Sequence, residues 1–580
     1  MRYRSIITCL LIGVCASSNA QTPMDNYNRM RDSIMAIYNH KHDSIVDEYE
    51  RFRDSCNAEY AKFLKEAWKP FKGEKGIEAP KENMRLPKEV LEQMKNTSQI
   101  VAMKTAKPEE TAFNVRDAMA KARNFFRSLK PAQPLVKERP SEWTRRKPEP
   151  KVKKEAEEKQ TVAVQTPDVK PEIQNLIPQG KEDEKAHVDE PTVKLMSFDF
   201  YGTEMQVNIG NLHDVLKLKE ATNEDVSEAW TLCSKPEYVS LIQDCLSLKR
   251  EYNLGDWAYL QMIKAMADEA FGEGSDESTF LTTYIYSQSG YCVRLGRDND
   301  RLLMLYTSHH EIYDRSIWLI DRQQFYALNA SQSLSAANVC DKAFNPEEQP
   351  LSLWMNGPIK LDEKPSKERI IQSDKYPEMK MKVTVNENLI RYYNDYPNSQ
   401  LGNDVLTRWA IYAETPLNEE VKQQIYPTLR EELKDLPEDE QVCRLLSLIQ
   451  PRDTTSGVNP WMSLVYDYDE TRWGGDRVFF PEETLFYPYS DCEDHAILFS
   501  RLVRDLVGLK VLLVYYKSPP SEGNHLATAV HFTKTPTMGN GEALRYEGET
   551  YYICDPTNWI PQPGVRMDGM KNPVQVILLN

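Results

Sequence analysis

Cysteine is scarce in this chain of 580 residues: there are ten, and none forms a Cys-x-x-Cys pair. That spacing excludes zinc ribbons and thioredoxin-type redox motifs, and the density is too low for a disulfide scaffold. Basic charge is short as well, since 72 Lys and Arg face 88 Asp and Glu for a net charge of −16. A protein that coats nucleic acid needs a basic surface to neutralise phosphates, so no nucleic-acid partner is expected. Long apolar runs are also missing. After the N-terminal segment nothing approaches the roughly 20 apolar residues that span a bilayer, so no membrane span is expected. With 40% hydrophobic residues and a mean hydropathy of −0.61, the chain can build cores yet leaves much of its length exposed. Its size implies several units, because domains run about 100–200 residues.

What is present begins with an export signal over residues 1–20. Arg2 and Arg4 supply positive charge, Ile6 to Val14 a short apolar core, and Ser18-Asn19-Ala20 small residues before Gln21. Val14 ahead of Cys15 does not suit lipid attachment, so cleavage after Ala20 into a periplasmic or secreted form is expected. Residues 21–69 carry apolar side chains at helical spacing, among them Ile34, Ile37, Ile45, Tyr49, Phe52, Cys56, Tyr60 and Phe63. This predicts a long amphipathic helix, either a packing helix or one that binds a protein partner. Residues 70–192 hold 13 of the 35 prolines in a Lys/Glu-rich setting. Such a composition buries too little apolar surface to offset ordering entropy, so a disordered linker is expected.

Two α+β units follow. In 193–345 a hairpin near Gly202 precedes four helical patterns, and strand-like stretches at 291–295, 302–306, 316–320 and 324–328 come after them. A proline-rich bridge over 346–377 is read as a second linker. Residues 378–580 open with a strand at 379–385 and helices at 418–436 and 438–450, then run into the most informative stretch.

That stretch is Ser490-Asp491-Cys492-Glu493-Asp494-His495-Ala496. Ser490 or Asp491 is a natural N-cap, and Ile497, Leu498, Leu502 and Leu506 mark a buried helix face. Cys492 therefore stands in the first turn of a core helix, where unpaired N–H groups and the macrodipole favour thiolate over thiol. His525 heads an alternating strand over 525–532, and Tyr551 to Cys554 forms another strand that delivers Asp555. In that order the three residues suit nucleophile, base and orienting acid. His531 shares the strand face of His525 and is a second candidate base. His495, one turn beyond Cys492, is expected beside the site rather than in it, and Cys554 is expected in the core.

These segments resemble the transglutaminase-like superfamily of papain-fold enzymes, and most of all its bacterial cysteine peptidases. The likeness rests on Asp-Cys-Glu-Asp-x-Ala at 491–496, His-x-Ala-x-Ala-Val at 525–530 and Tyr-Tyr-x-Cys-Asp-Pro-Thr at 551–557. The lead-in Asp476 to Glu483 is similar too, and the match covers about 455–580. It departs in the loop Lys517–Asn524, which is longer than usual and holds Pro519 and Pro520. The resemblance implies a papain-like catalytic domain with Cys492, His525 and Asp555 as its triad, acting on a protein or peptide substrate. No cofactor and no metal are assigned. Some relatives bind calcium through acidic residues beside the cysteine, and Asp491, Glu493 and Asp494 could do so here, although helix capping alone accounts for them. Amide hydrolysis is the expected reaction. Acyl transfer that cross-links proteins and a non-catalytic scaffold with a vestigial triad are the alternatives. The middle domain repeats the helix–strand order with Ser275 and Asp276 at its helix start in place of a cysteine, so it is either a degenerate copy or an unrelated α+β unit.

Overall fold

The computed structural model describes residues 50–66, 68–71 and 193–580, apart from 299–300, 314, 316, 331–336, 356, 402–405, 454–462, 474, 518–523, 568–569, 571–572 and 580. The export signal, most of the N-terminal helix and nearly all of the first linker lie outside these residues. Within them helices and strands are mixed, as an α+β chain requires, and Glu59–Asn580 forms one compact unit.

Helix α1 covers 50–66. It does not run on to residue 69: the chain becomes strand β1 at Trp68–Phe71. The last turns of α1 pack as part of the middle domain. Tyr60, Ala61 and Leu64 are buried, Tyr60 lies against Trp230 with ring centroids 4.5 Å apart, and the Ser227 hydroxyl donates to the Ala61 carbonyl at 2.6 Å.

The middle domain opens with the hairpin β2 (Leu195–Phe200) and β3 (Thr203–Asn208), turning at Tyr201 and Gly202 with φ of 49° and 78°. Two positive φ values match the right-handed twist of a tight hairpin. Helices α2 (Asn223–Cys233), α3 (Val239–Glu251), α4 (Asp256–Phe271) and α5 (Asp276–Gln288) follow. Thr222 and Asp225 close a capping box on α2, and the Ser275 side chain caps α5. Strands β4 (Val293–Asp298), β5 (Arg301–Tyr306), β6 (Ile317–Ile320), β7 (Gln323–Ala327) and β8 (Ala337–Cys340) complete the unit. They form an antiparallel sheet in the order β6-β7-β5-β4-β8-β1.

The bridge over 346–377 is not a free linker. Leu351, Leu353, Met355 and Ile359 are buried, and the bridge ends in strand β9 (Arg369–Gln372), which pairs with β10 (Lys380–Val383). Arg369 is buried and donates to the carbonyls of Ser463, Thr484, Leu485 and Tyr487. Proline density signals an absence of regular structure, yet a chain can pack without it when backbone carbonyls elsewhere need a donor. Helices α6 (Glu387–Asn394), α7 (Leu406–Glu414), α8 (Glu419–Leu433), α9 (Glu438–Ile449), α10 (Pro481–Phe486) and α11 (Cys492–Leu502) come next. The last sheet contains β11 (Lys510–Tyr516), β12 (His525–His531), β13 (Ala543–Tyr546), β14 (Glu549–Cys554) and β15 (Pro573–Leu578). Its order is β13-β14-β12-β11-β15, all antiparallel. Helix α11 lies against β11 and β12, with α7, α9 and α10 around it. Ala496, Ile497, Leu498 and Phe499 are buried along α11, so the core forms around it and fixes where its first residue stands. Among the described residues no helix is long and apolar enough to cross a membrane.

Candidate active site

Three elements bring Cys492, His525 and Asp555 to one end of this sheet. Cys492 is the first residue of α11, and its N-cap is Asp491. The Asp494 carboxylate accepts from the backbone N–H of Asp491 at 3.3 Å and of Phe479 at 2.9 Å, which ties the helix start to the lead-in segment. Strand β12 begins at His525, and the backbone N–H of the next residue, Leu526, is directed at the Cys492 thiol. Strand β14 ends at Cys554, which pairs with Thr528 on β12, so the residue after it emerges beside His525.

His525 and Asp555 are joined by a hydrogen bond of 2.8 Å between Nε2 and Oδ2. Both are buried. The second Asp555 oxygen accepts from the Thr557 backbone N–H at 3.0 Å and its hydroxyl at 2.8 Å. Burial alone disfavours charge on either partner. Burial works against an imidazolium at His525, but the Asp555 carboxylate holds its pKa above the ordinary value. Burial likewise raises Asp555, and His525 and Thr557 outweigh it, leaving the carboxyl below its usual range. Nε2 is committed to Asp555.

Cys492 departs from the expected thiolate. Burial, with the residue only 4% exposed, pushes the thiol well above its ordinary pKa, and Glu493 and Asp491 push it the same way. Its Sγ donates to Glu493 Oε2 at 3.1 Å. The Leu526 N–H acts in the opposite direction. A helix terminus favours an anion only while carboxylates do not already answer it, and here two flank the sulfur.

The other candidates lie apart from the His525–Asp555 pair. His531 closes β12 at its far end, opposite Lys510, whereas His525 lies opposite Tyr516. Six residues of strand separate the two by roughly 20 Å. His531 Nδ1–H donates to the Thr550 carbonyl at 2.9 Å. His495 is buried, bonded to the Ile449 carbonyl at 2.9 Å and the Ser490 hydroxyl at 3.0 Å, and burial lowers its pKa to about 4. It is a neutral packing histidine. Cys554 is buried in the sheet, and Cys56, Cys233, Cys245, Cys292, Cys340, Cys443, Cys492 and Cys554 are all unbridged.

Further neighbours come from earlier in the chain: Asp476 opens the lead-in segment, while Asp469, Arg408 and Tyr466 carried no sequence signal. Asp469 joins Asp491 and Asp494, and Asp476 joins Asp469 and Glu493, in groups whose donor atoms lie within 4.8 Å of one another. Arg408 pairs with Asp476 at 2.7 Å. Burial, and then the neighbouring carboxylates, raise the pKa of Asp491 and Asp494 well above the ordinary range. The donors are all oxygen, and Asp491 Oδ1 is buried without a hydrogen-bond partner, so this cluster fits a hard divalent cation such as calcium. Tyr466 is the other addition. Burial, with Cys492 next, raises its pKa strongly, which keeps the phenol a hydrogen-bond donor beside the sulfur.

No family model, no curated protein and no solved structure matches this chain.

Proposed function

We propose that the chain is an exported cysteine peptidase or amidase of the transglutaminase-like kind, hydrolysing amide bonds in protein or cell-wall peptides. The observation that carries this reading is the buried His525–Asp555 pair at 2.8 Å, set beside a cysteine at the start of a core helix that receives the Leu526 N–H. In the first half-reaction the Cys492 S–H proton passes to His525 Nδ1 as sulfur attacks the substrate carbonyl carbon. Asp555 holds the ring tautomer and stabilises the imidazolium. The oxyanion is met by the Cys492 backbone N–H and the Tyr466 phenol. Collapse breaks the C–N bond, and His525 gives its proton to the departing amine. In the second half-reaction His525 takes a proton from water, hydroxide attacks the thioester, and the carboxylic acid leaves as the thiol re-forms. An amine in place of water gives acyl transfer by the same steps.

Asp469, Asp491, Glu493 and Asp494 would hold a divalent cation, whose charge would offset the carboxylates that keep the Cys492 thiol protonated. The raised thiol also favours a second reading, a scaffold in which the triad no longer reacts. Labelling with iodoacetamide near pH 7, with each cysteine located by peptide mapping, separates the two. Faster labelling of Cys492 than of any other cysteine is expected for the enzyme, and labelling no faster than the buried core cysteines refutes it.

A further inference from the structure

Taken in chain order, the two sheets have the same plan. Each follows a core helix, and its five strands lie third, fourth, second, first, fifth: β13-β14-β12-β11-β15 after α11, and β6-β7-β5-β4-β8 after α5. Each helix lies against the first and second strands of its sheet. Details of no topological necessity agree as well. Both helical segments are followed by a glycine with positive φ, 77° at Gly508 and 89° at Gly290. Both third-to-fourth hairpins turn on two residues of positive φ, Glu547 and Gly548 at 54° and 77°, Asp321 and Arg322 at 50° and 69°.

The register then aligns the two units residue by residue. Ser275-Asp276-Glu277-Ser278 stands at the start of α5 where Asp491-Cys492-Glu493-Asp494 stands at the start of α11. Arg301 opens the second strand of its unit as His525 opens that of the other. Thr528, three residues into that strand, pairs with Cys554, and Asp555 follows. Met304, three residues into β5, accepts from the Leu328 N–H at 2.9 Å, and Asn329 follows. A shared contact supports the alignment. The Leu302 N–H donates to Asp276 Oδ1 at 2.9 Å, as the Leu526 N–H is directed at Cys492.

We infer that the middle domain is a catalytically silent second copy of the C-terminal unit, with Asp276, Arg301 and Asn329 at the positions of Cys492, His525 and Asp555. The topology holds whether or not Cys492 reacts; calling the second site a lost catalytic site rests on the function proposed above. Arg301 Nε lies 3.5 Å from Asp276 Oδ1, so side chains at these two positions reach one another. A guanidinium cannot serve as a base, and a carboxylate held by an N–H and an arginine is a poor nucleophile. Asn329 has turned to the backbone, its amide donating to the Leu302 carbonyl and the Thr279 hydroxyl and accepting from the Met304 N–H. With Ser275 and Ser278 in place of Asp491 and Asp494, the carboxylate cluster is gone as well. The copy instead holds the N-terminal arm: β1 pairs with the fifth strand, β8, and Tyr60 packs on Trp230 and Phe344.

The test rebuilds the site in the full chain carrying Cys492→Ala. Asp276→Cys alone is compared with Asp276→Cys/Arg301→His/Asn329→Asp by the rate of iodoacetamide labelling at position 276 near pH 7. At least a tenfold faster rate in the triple variant is expected, and equal or slower labelling overturns the inference. Circular dichroism checks each fold. If the triple variant does not fold, Asp276→Cys/Arg301→His is compared with Asp276→Cys in the same assay: at least tenfold faster labelling is expected of the double variant, and equal or slower labelling overturns the inference. An unreactive Cys492 in the unaltered chain would refute the enzyme reading alone, because position 276 is scored in its own variants.

Discussion

Removing the Asp555 carboxylate probes the proposed triad most directly. In Asp555→Ala the His525 ring loses its carboxylate hydrogen bond, the 2.8 Å contact at Nε2, and stays buried. Hydrogen bonds to charged groups contribute about 1.5–3 kcal/mol. This one is shielded from solvent and little screened by salt. The imidazolium that accompanies a Cys492 thiolate is destabilised by that amount, so labelling of Cys492 by iodoacetamide near pH 7 should slow by roughly 10- to 150-fold at about 1.4 kcal/mol per factor of ten. Thr557→Val, which removes only the hydroxyl bond to the other Asp555 oxygen, should slow it by less than tenfold. The measurement is a second-order labelling rate for each variant, with circular dichroism showing that the sheet is intact. Labelling of Asp555→Ala at the unaltered rate would refute the coupling of Asp555 to the thiol through His525.

Four further outcomes follow from the same geometry. His525→Ala should abolish the selective labelling of Cys492, whereas His531→Ala, at the far end of β12, should leave it within about twofold; the reverse pattern would move the base to His531. Chelation of divalent cations should slow Cys492 labelling if the carboxylates around it hold a cation, and added calcium should restore the rate; an unchanged rate removes the cation. Glu482 is buried and its pKa is raised to about 7, by burial first, against about 4.3 in an unfolded chain. The unfolded state then releases its proton earlier as pH rises, so the protein loses stability between about pH 4.3 and 7, by about 4 kcal/mol for this group. Glu482→Gln should remove that part of the loss in denaturant melts at pH 5 and pH 8, and an equal pH dependence in both proteins would contradict it. Arg369→Met should lower stability by roughly 3–5 kcal/mol, because buried carbonyls lose a charged donor; a melting temperature within a degree of the unaltered protein would show that these carbonyls find other partners.

Periodicity and capping made most elements legible in advance. The strand headed by His525, the strand over 551–554 and the helix start at Cys492 are written locally, in alternation and in an N-cap followed by a buried face. So are the three residues of the proposed triad, since each stands at the end of such an element. The packing of the proline-rich bridge is not written locally, because composition reports intrinsic preference and the buried Arg369 side chain overrides it with bonds to residues about a hundred positions away.

The order of the elements and the residues at their ends were determined by sequence alone, because hydrogen-bonding periodicity and capping act over a few residues. Only the tertiary structure decided which of those ends meet. It joined His525 to Asp555, set His531 and His495 aside, and drew Asp469, Asp476, Asp491, Glu493 and Asp494 together. It also decided which way the sulfur's acidity is pushed. A helix start by itself favours a thiolate, but burial and two flanking carboxylates outweigh that terminus, and electrostatic balance in a buried site depends on every charge within a few ångströms. The likeness of the two sheets became visible for the same reason: strand order and register are relations between distant segments, and they persist where Asp276 and Arg301 have replaced the residues that would announce them.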